Sequence, residues 1–235
     1  GNIWAVTDAG LFVTEDVGST FTKNLGNGLP TNLLTMNVLN NVILLGTNDG
    51  IYYSDGAIQT PPYSIWFRAV YVEGDTTQEF FATEPCNALA VGEGLTYAGI
   101  GRGIFISTDG KTWNHVFDFS KETEVFTLAY YAKKLYVGTN KGVYTDDGTA
   151  RSSSPGFKLE KTDTTLTESA KLSVNDLFVY TDVSATSLYA VGSKGNVYRL
   201  TNEIWTKSGI PDVTAIQKFI IVSGPKQIAF ANDSV

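Results

Sequence analysis

The chain has 235 residues and a net charge of -7, because 24 acidic residues outnumber 17 basic ones. Nucleic-acid grooves need clustered Lys and Arg, so this balance argues against a nucleic-acid partner. No apolar run reaches the roughly 18 residues of a membrane helix, and membrane insertion is not predicted. A single cysteine, Cys86, and a single histidine, His115, exclude an intrachain disulfide and a typical zinc site, so neither a metal nor a cofactor is predicted.

Pairs of β-type runs recur along the chain, and a short polar turn joins the two runs of each pair. The first runs cover residues 3–6, 42–45, 95–98, 135–138 and 188–191. The second runs cover residues 11–13, 51–53, 104–106, 143–144 and 197–200. The glycines just before these second runs, at positions 10, 50, 103, 142 and 195, are 40, 53, 39 and 53 residues apart. Hairpins repeated at this period are typical of propellers and other arrays.

Further apolar runs flank these pairs on both sides. Upstream runs cover residues 33–39, 88–91, 125–130 and 174–180, and downstream runs cover residues 21–23, 65–67, 113–117, 157–159 and 204–205. Each repeat therefore predicts four antiparallel strands, which we letter A to D. No stretch shows a convincing helical period. We predict an all-β fold, a β-propeller of four-stranded antiparallel blades, five to six in number.

The two ends of the chain carry incomplete repeats. The first repeat begins at strand B, and residues 213–235 have room for strands A and B only. Pairing of the two ends would close the ring, which predicts one propeller domain over residues 1–235. A piece of a longer repeat protein fits the same pattern.

Two turns between strands C and D carry a shared polar motif. The residues concerned are Thr14, Asp16, Gly18, Thr20 and Phe21 in one turn, and Ser107, Asp109, Gly110, Thr112 and Trp113 in the other. Both turns resemble the Asp box, Ser/Thr-x-Asp-x-Gly-x-Thr-Trp/Phe, of sialidase/BNR-type repeat propellers, sortilin-like propellers and secreted bacterial repeat proteins. The resemblance implies a structural role for these ten residues and a secreted or cell-surface location. In such a turn Asp accepts backbone N–H groups, Gly permits positive φ, and the aromatic residue anchors strand D.

Sialidase chemistry is not favoured. That family binds its substrate carboxylate with three arginines, and it has a Phe-Arg-Ile-Pro motif that is missing near the start of this chain. Four arginines are present: Arg68, Arg102, Arg151 and Arg199. Arg151 falls in a C–D loop, on the face that carries the Asp-box turns, so at most three could converge.

Another glycoside hydrolase would need two carboxylates flanking one bond. Acidic residues cluster between residues 71 and 85, and they are Glu73, Asp75, Glu79 and Glu84. We interpret this segment as a solvated acidic loop. His115 has no Ser or Cys nucleophile motif beside it, so no catalytic residue is predicted.

In a propeller the B–C turns and the D–A linkers share one face. Loops on a rigid scaffold usually carry binding, and this face would collect the predicted binding residues: Asp8, Asn48, Asp49, Phe80, Phe81, Arg102, Asn140, Lys141 and Lys194. The long linker after the second repeat would add Tyr71. We therefore predict a monomeric, non-catalytic module that recognises a glycan or a protein there. The alternatives are a glycoside hydrolase with acidic residues in the central cleft and a purely structural segment of a larger surface protein.

Overall fold

The structure, a computed structural model, describes most of the chain: residues 3–16, 18–24, 26–40, 42–54, 65–73, 76–79, 84–146, 156–159, 173–181, 185–192, 196–207, 218–221 and 228–231. Every regular element in these ranges is a strand, and none of them contains a helix. The chain divides into two compact units, Gly1–Asp118 and Phe119–Val235.

The first unit contains three antiparallel meanders, which we call blades 1 to 3. Blade 1 has three described strands: β1 (Ile3–Thr7), β2 (Gly10–Thr14) and β3 (Thr22–Lys23). Blade 2 has four strands: β4 (Leu33–Leu39), β5 (Val42–Thr47), β6 (Gly50–Ser54) and β7 (Trp66–Arg68). Blade 3 also has four: β10 (Cys86–Gly92), β11 (Leu95–Ile100), β12 (Gly103–Ser107) and β13 (Thr112–Asp118).

A hairpin between blades 2 and 3 corrects one sequence-based interpretation. The segment read as a solvated acidic loop forms β8 (Val70–Glu73) and β9 (Thr76–Glu79), and β8 pairs in parallel with β13. Tyr71 is only 6% exposed and packs with Phe105 and Trp113 instead of lying on the binding face. The β-type run Val70-Tyr71-Val72, followed by Gly74 and Asp75, is a pattern typical of a hairpin.

The second unit repeats the same design. Blade 4 is formed by β14 (Val125–Tyr131), β15 (Lys134–Thr139), β16 (Gly142–Asp146) and β17 (Phe157–Leu159). Blade 5 is formed by β18 (Val174–Thr181), β19 (Thr186–Gly192), β20 (Val197–Thr201) and β21 (Ile204–Lys207). The last two strands, β22 (Lys218–Ile221) and β23 (Ile228–Ala231), pair with each other. Each run predicted from the sequence contains a strand, so the all-β prediction is confirmed.

Buried tryptophans fix strand D in three of the five blades. Trp66, Trp113 and Trp205 each lie near the start of strand D and are at most 4% exposed. Each belongs to a hydrophobic cluster that includes residues from a neighbouring blade. Phe21, the corresponding residue of blade 1, is 47% exposed. It precedes the two paired residues of β3 and does not supply the anchor expected of it.

The chain leaving strand D of one blade pairs in parallel with the beginning of strand D in the next blade. Asn27 bridges Ile65 on blade 2, and its carbonyl accepts the N–H of Trp66 at 2.9 Å. Val70 pairs with Thr112 on blade 3 in the same sense. These backbone contacts fix where the linkers into blades 2 and 3 begin their paths to strand A, and the first of them positions the linker of the candidate site.

Candidate functional site

Three B–C turns share the sequence Thr-x-x-Gly and the same hydrogen bonds. The turns are residues 7–10 in blade 1, 47–50 in blade 2 and 139–142 in blade 4. In each turn the threonine hydroxyl accepts the N–H of the third residue at 3.0–3.2 Å and lies 2.9–3.0 Å from the glycine carbonyl. The glycines have φ between 109° and 122°, where a side chain is rarely tolerated. The third residue is Ala9, Asp49 or Lys141, so the repeated turn presents a different chemical group each time.

A cleft of about 510 Å³ opens in the first unit between the B–C turn of blade 2 and the D–A linker that precedes this blade. Its lining residues are Gly28, Leu29, Pro30, Thr31, Asn32, Asn48, Asp49 and Tyr52. Leu29 and Pro30 are half-buried, whereas Asn32 and Asn48 expose their amides. The cleft therefore combines a small apolar wall with hydroxyl, amide and carboxylate groups.

The Asp49 carboxylate is held in one orientation at the wall of this cleft. Its Oδ1 accepts the hydroxyl of the fully buried Thr47 at 2.6 Å, and its Oδ2 accepts the Tyr52 hydroxyl at 3.1 Å. Burial raises the pKa of Tyr52, and the charge of Asp49 raises it further, so the phenol stays protonated and remains a donor. The carboxylate is thus positioned before any ligand arrives.

Arg68 supports the turn from strand β7. One terminal nitrogen, Nη2, donates to the carbonyl of Asp49 at 2.7 Å, and the other, Nη1, lies 3.4 Å from Glu79 Oε2 on β9. The β8–β9 hairpin therefore reaches the candidate site through this one arginine. The two carboxylates of Asp49 and Glu79 outnumber the one guanidinium of Arg68, which leaves one excess negative charge around the turn.

Backbone packing also fixes the opposite wall. Gly28 has φ 77°, and a Cβ at this position would lie 2.7 Å from the carbonyl oxygen of Trp66. The Asn24 side chain accepts the N–H of Gly26 at 2.9 Å and the indole N–H of Trp66 at 3.4 Å. Because glycine permits this close approach, the linker lies directly against β7, which is strand D of blade 2. The linker then continues along the cleft.

The corresponding turns of two other blades are joined to their linkers. In blade 3 the N–H of Gly101 donates to the carbonyl of Pro85 at 3.2 Å. In blade 4 the Asn140 side chain donates to the Glu122 carbonyl at 2.9 Å and accepts the N–H of Glu124 at 3.1 Å. Among the described residues of blade 2, no such bond joins residues 28–32 to the turn at 48–49. A cleft opens there instead.

Comparisons with known proteins identify the architecture. No family model and no curated protein match the sequence. Among solved structures, YCF48 bound to D1 peptide is 17% identical with a TM-score of 0.62, over 97% of this chain and 70% of that one. The extracellular domain of BT4673 from B. thetaiotaomicron is 15% identical with a TM-score of 0.66, over 100% and 31%. An ancestral GH74 enzyme is 17% identical with a TM-score of 0.56, over 88% and 29%.

The chain is a five-bladed β-propeller. Similarity at these identities shows the fold alone. The chain spans less than a third of BT4673 and of the GH74 enzyme, so their activities as whole proteins are not implied by the fold. The blade number lies within the range of five to six predicted from the repeats.

The structure describes six of the nine predicted binding residues. Asn48 and Asp49 line the cleft, and Asp8 lies exposed on the blade 1 turn. Three others contact their own blade or its preceding linker: Arg102 pairs with Asp118 at 3.1 Å, Lys141 pairs with Glu122 at 3.2 Å, and Asn140 holds the linker as described. Phe80, Phe81 and Lys194 lie outside the described residues.

Neither the linker that lines the cleft nor the arginine that supports the turn was predicted from the sequence. Thr31, Asn32 and Tyr52 line the cleft, and Arg68 stands behind the turn. No sequence pattern singles out the linker that contains Gly28, Leu29 and Pro30 as a wall of the site. Its placement beside a turn 20 residues later depends on strand pairing across blade 2.

Of the four acidic residues proposed for hydrolysis, the two whose side chains are described, Glu79 and Glu84, do not line the cleft. Glu79 pairs with Arg68, and Glu84 lies beside Gly101 of the blade 3 turn. The side chains of Glu73 and Asp75 lie outside the described residues. Within the described residues, no group of three or more His, Cys, Asp or Glu side chains could hold a metal ion. No helix in the described residues has the length and apolarity needed to cross a membrane.

The two Asp-centred C–D turns are closed by dense local hydrogen bonding. In the blade 1 turn, Asp16 Oδ1 accepts the Thr14 hydroxyl at 2.6 Å and the Thr20 N–H at 2.8 Å, while Oδ2 accepts the Thr20 hydroxyl at 2.6 Å. The N–H of Gly18 donates to the Thr14 hydroxyl at 3.0 Å, and Gly18 has φ 95°. The side chain of Asp16 thus accepts hydrogen bonds from turn residues that have no strand partner.

The blade 3 turn is one residue shorter and is closed by similar hydrogen bonds. Asp109 Oδ1 accepts the N–H groups of Lys111 at 2.8 Å and Thr112 at 2.9 Å, and the Ser107 hydroxyl lies 3.0 Å away. The N–H of Gly110, which has φ 74°, donates to the Ser107 hydroxyl at 2.8 Å. Burial alone would raise the pKa of Asp109, but the N–H groups of Thr112 and Lys111 outweigh it and lower that pKa.

Acid is expected to weaken the Asp16 turn in a defined pH window. Hydrogen bonds from Thr14 and Thr20 lower the pKa of Asp16 from its usual 3.8 to about 2. A depressed folded-state pKa means that this contribution is fully present above about pH 4 and is lost as the pH falls toward about 2. Urea unfolding between about pH 5 and pH 2 should show a steeper loss of stability in the parent than in Asp16→Asn.

A matched control removes a different acidic side chain. Asp8 is exposed, and its carboxylate accepts no hydrogen bond from the described residues, so Asp8→Asn should follow the parent profile. If the Asp16→Asn profile instead had the parent's slope, the turn bonds would not favour the ionised form of Asp16.

Proposed function

We propose that this propeller is a non-catalytic binding or scaffold module that recognises a glycan or a protein on the face made by its B–C turns and D–A linkers. One observation carries the proposal: the cleft of about 510 Å³ between the linker at residues 28–32 and the turn at residues 48–49. A rigid scaffold, a small apolar wall and a few fixed polar groups are the usual features of a ligand site.

The chemistry of the lining favours binding over hydrolysis. Asp49 is the one carboxylate among the cleft's described lining residues, and both of its oxygens already accept hydroxyl groups. Glycoside hydrolysis commonly uses two carboxylates about 5–10 Å apart across one bond. The remaining polar groups, the amides of Asn32 and Asn48 and the Thr31 hydroxyl, suit hydrogen bonding to the polar groups of a glycan or a peptide.

Two propellers of similar fold support a binding role and an extracellular location. YCF48 is a propeller described as bound to a peptide, and the similar part of BT4673 is an extracellular domain. The Asp16 and Asp109 turns have the hydrogen bonds that the Asp-box resemblance implies. We therefore propose that the chain is of the Asp-box type and acts outside the cell or at its surface, as a monomer.

A glycoside hydrolase is the second candidate. The fold similarity to an ancestral GH74 enzyme supports it, as do the acidic residues of the linker before blade 3. This candidate would place paired carboxylates elsewhere on the same face. It predicts turnover of a glycoside that a single Glu or Asp substitution abolishes.

The testing experiment combines a glycan array, a peptide library and a panel of chromogenic glycosides with the purified chain. We expect saturable binding without turnover. Asn48→Ala should weaken binding by about threefold or more, as loss of one ligand hydrogen bond does, with an unchanged melting temperature. Asn114→Ala is the matched control, because Asn114 is exposed on β13, outside the cleft lining.

Each result separates the candidates. Turnover abolished by one acidic substitution would replace the binding proposal with the hydrolase. Binding that is equally strong in Asn48→Ala and in the parent would remove the site from this cleft. Absence of both binding and turnover would leave a structural segment as the better description.

A further inference from the structure

The propeller contains its own example of a charge pair at the third position of a Thr-x-x-Gly turn. In blade 4 this position is Lys141, and its Nζ lies 3.2 Å from Glu122 Oε2 on the linker that precedes the blade. Asn140 of the same turn holds the Glu122 carbonyl at 2.9 Å. The linker thus places the acidic Glu122 opposite the basic Lys141. The Asn140 side chain holds the Glu122 backbone in this position.

Blade 2 has the same turn with the charge reversed and the opposing residue missing. The third position is Asp49, the neighbouring asparagine is Asn48, and the preceding linker segment, Gly-Leu-Pro-Thr-Asn, has no ionisable side chain. In blade 2 a cleft opens between this linker and the turn. Within the described part of the chain, Asp49 takes part in no ion pair.

The side chains around the Asp49 carboxylate leave part of its hydrogen-bonding capacity unused. Arg68 directs one nitrogen to the main-chain carbonyl of Asp49 and the other to Glu79 Oε2. Tyr52 is a neutral donor to Oδ2. An ionised carboxylate offers about four lone-pair positions, of which Thr47 and Tyr52 use two. The net charge of -7 on the whole chain also favours a cationic ligand.

We propose that Asp49 anchors a Lys or Arg side chain of a protein ligand, whose backbone lies along Asn48 as the Glu122 backbone lies along Asn140. This inference rests on the proposed binding function and narrows its ligand to a basic segment of a protein. A cationic side chain would fill the cleft past Leu29 and Pro30, with its aliphatic stem against them and its charge at the carboxylate.

Peptide libraries with one fixed residue test the proposal. The probes are acetylated, amidated nonapeptides that are random except for a central Lys, Arg, acetyl-lysine, Ala or Glu. We expect the parent chain to retain the Lys and Arg libraries at least about fivefold more than the acetyl-lysine library, since charge-assisted hydrogen bonds exceed neutral ones. Asp49→Asn should remove this preference, and Asp49→Lys should transfer it to the Glu library.

Two control variants separate charge from positioning. Tyr52→Phe keeps the carboxylate and loses only the bond to Oδ2, so it should keep the preference for basic peptides while binding them more weakly. Glu15→Gln removes one negative charge from the exposed C–D turn of blade 1, away from the B–C turns, and should behave like the parent. Melting temperatures measured in parallel confirm that each variant is folded.

The outcomes distinguish this inference from the proposed function. Equal retention of the lysine and acetyl-lysine libraries, or an unchanged preference in Asp49→Asn, would overturn the role of Asp49. Binding of glycans without binding of any peptide library would overturn the protein ligand and leave the binding function in place. Failure to bind glycans and all peptide libraries would overturn both.

Discussion

Replacing Trp113 with alanine is expected to lower the free energy of unfolding by about 3–5 kcal/mol. The indole is completely buried at the start of β13. It belongs to a cluster that contains Leu44 and Ile51 of blade 2 as well as Tyr71 and Phe105. Its removal would leave a large cavity where blade 2, the β8–β9 hairpin and blade 3 meet. The indole N–H also donates to the Gly110 carbonyl at 3.1 Å, and that buried acceptor would lose its partner.

Phe21 provides a matched control for this substitution. Both aromatic residues directly follow an Asp-centred turn and a threonine, but Phe21 is 47% exposed. Phe21→Ala should therefore change the unfolding free energy by only about 0.5 kcal/mol. Urea unfolding of both variants measures the difference. Equal effects would show that the aromatic residue serves the turn itself, and that burial between blades contributes little.

The strands were predictable because their signals are local. A hairpin needs an alternating run, a polar turn and a second run, and all three are adjacent in the sequence. For this reason the predicted run at residues 33–39 matches β4, and the predicted run at residues 42–45 lies within β5. The hairpin β8–β9 was not predicted because it lies outside the regular four-strand repeat, and its parallel partner β13 is distant in the sequence.

The candidate site was predictable only in part, since it depends on distances between separate segments. The turn chemistry pointed to Asn48 and Asp49, but the same reasoning pointed equally to Arg102, Asn140 and Lys141. Nothing in the local sequence indicates which turn is closed by its linker. The decisive features are a Gly28 that lies against the Trp66 backbone and a linker without a charged residue opposite the turn. Both features depend on segments that come together only in the folded blade 2.

Gly46→Ala is expected to destabilise the propeller by about 2–3 kcal/mol. Gly46 lies in β5, where a Cβ would collide with the backbone carbonyl of Cys86 in blade 3 and lie 2.5 Å from Thr35 Cγ2. A side chain can rotate away from such a contact, but a backbone carbonyl within a sheet cannot. The added methyl group must therefore move β10 away from β5. Urea unfolding measures the loss.

The same substitution should also weaken ligand binding, because Gly46 is followed by Thr47, which holds Asp49 in the cleft. The double variant Gly46→Ala, Thr35→Ser tests the cause, since serine lacks the threonine Cγ2 but leaves the Cys86 carbonyl in place. We expect little recovery of stability in the double variant. Full recovery would show that the side chain of Thr35, and not the close approach of two backbones, makes glycine necessary at this position of the blade.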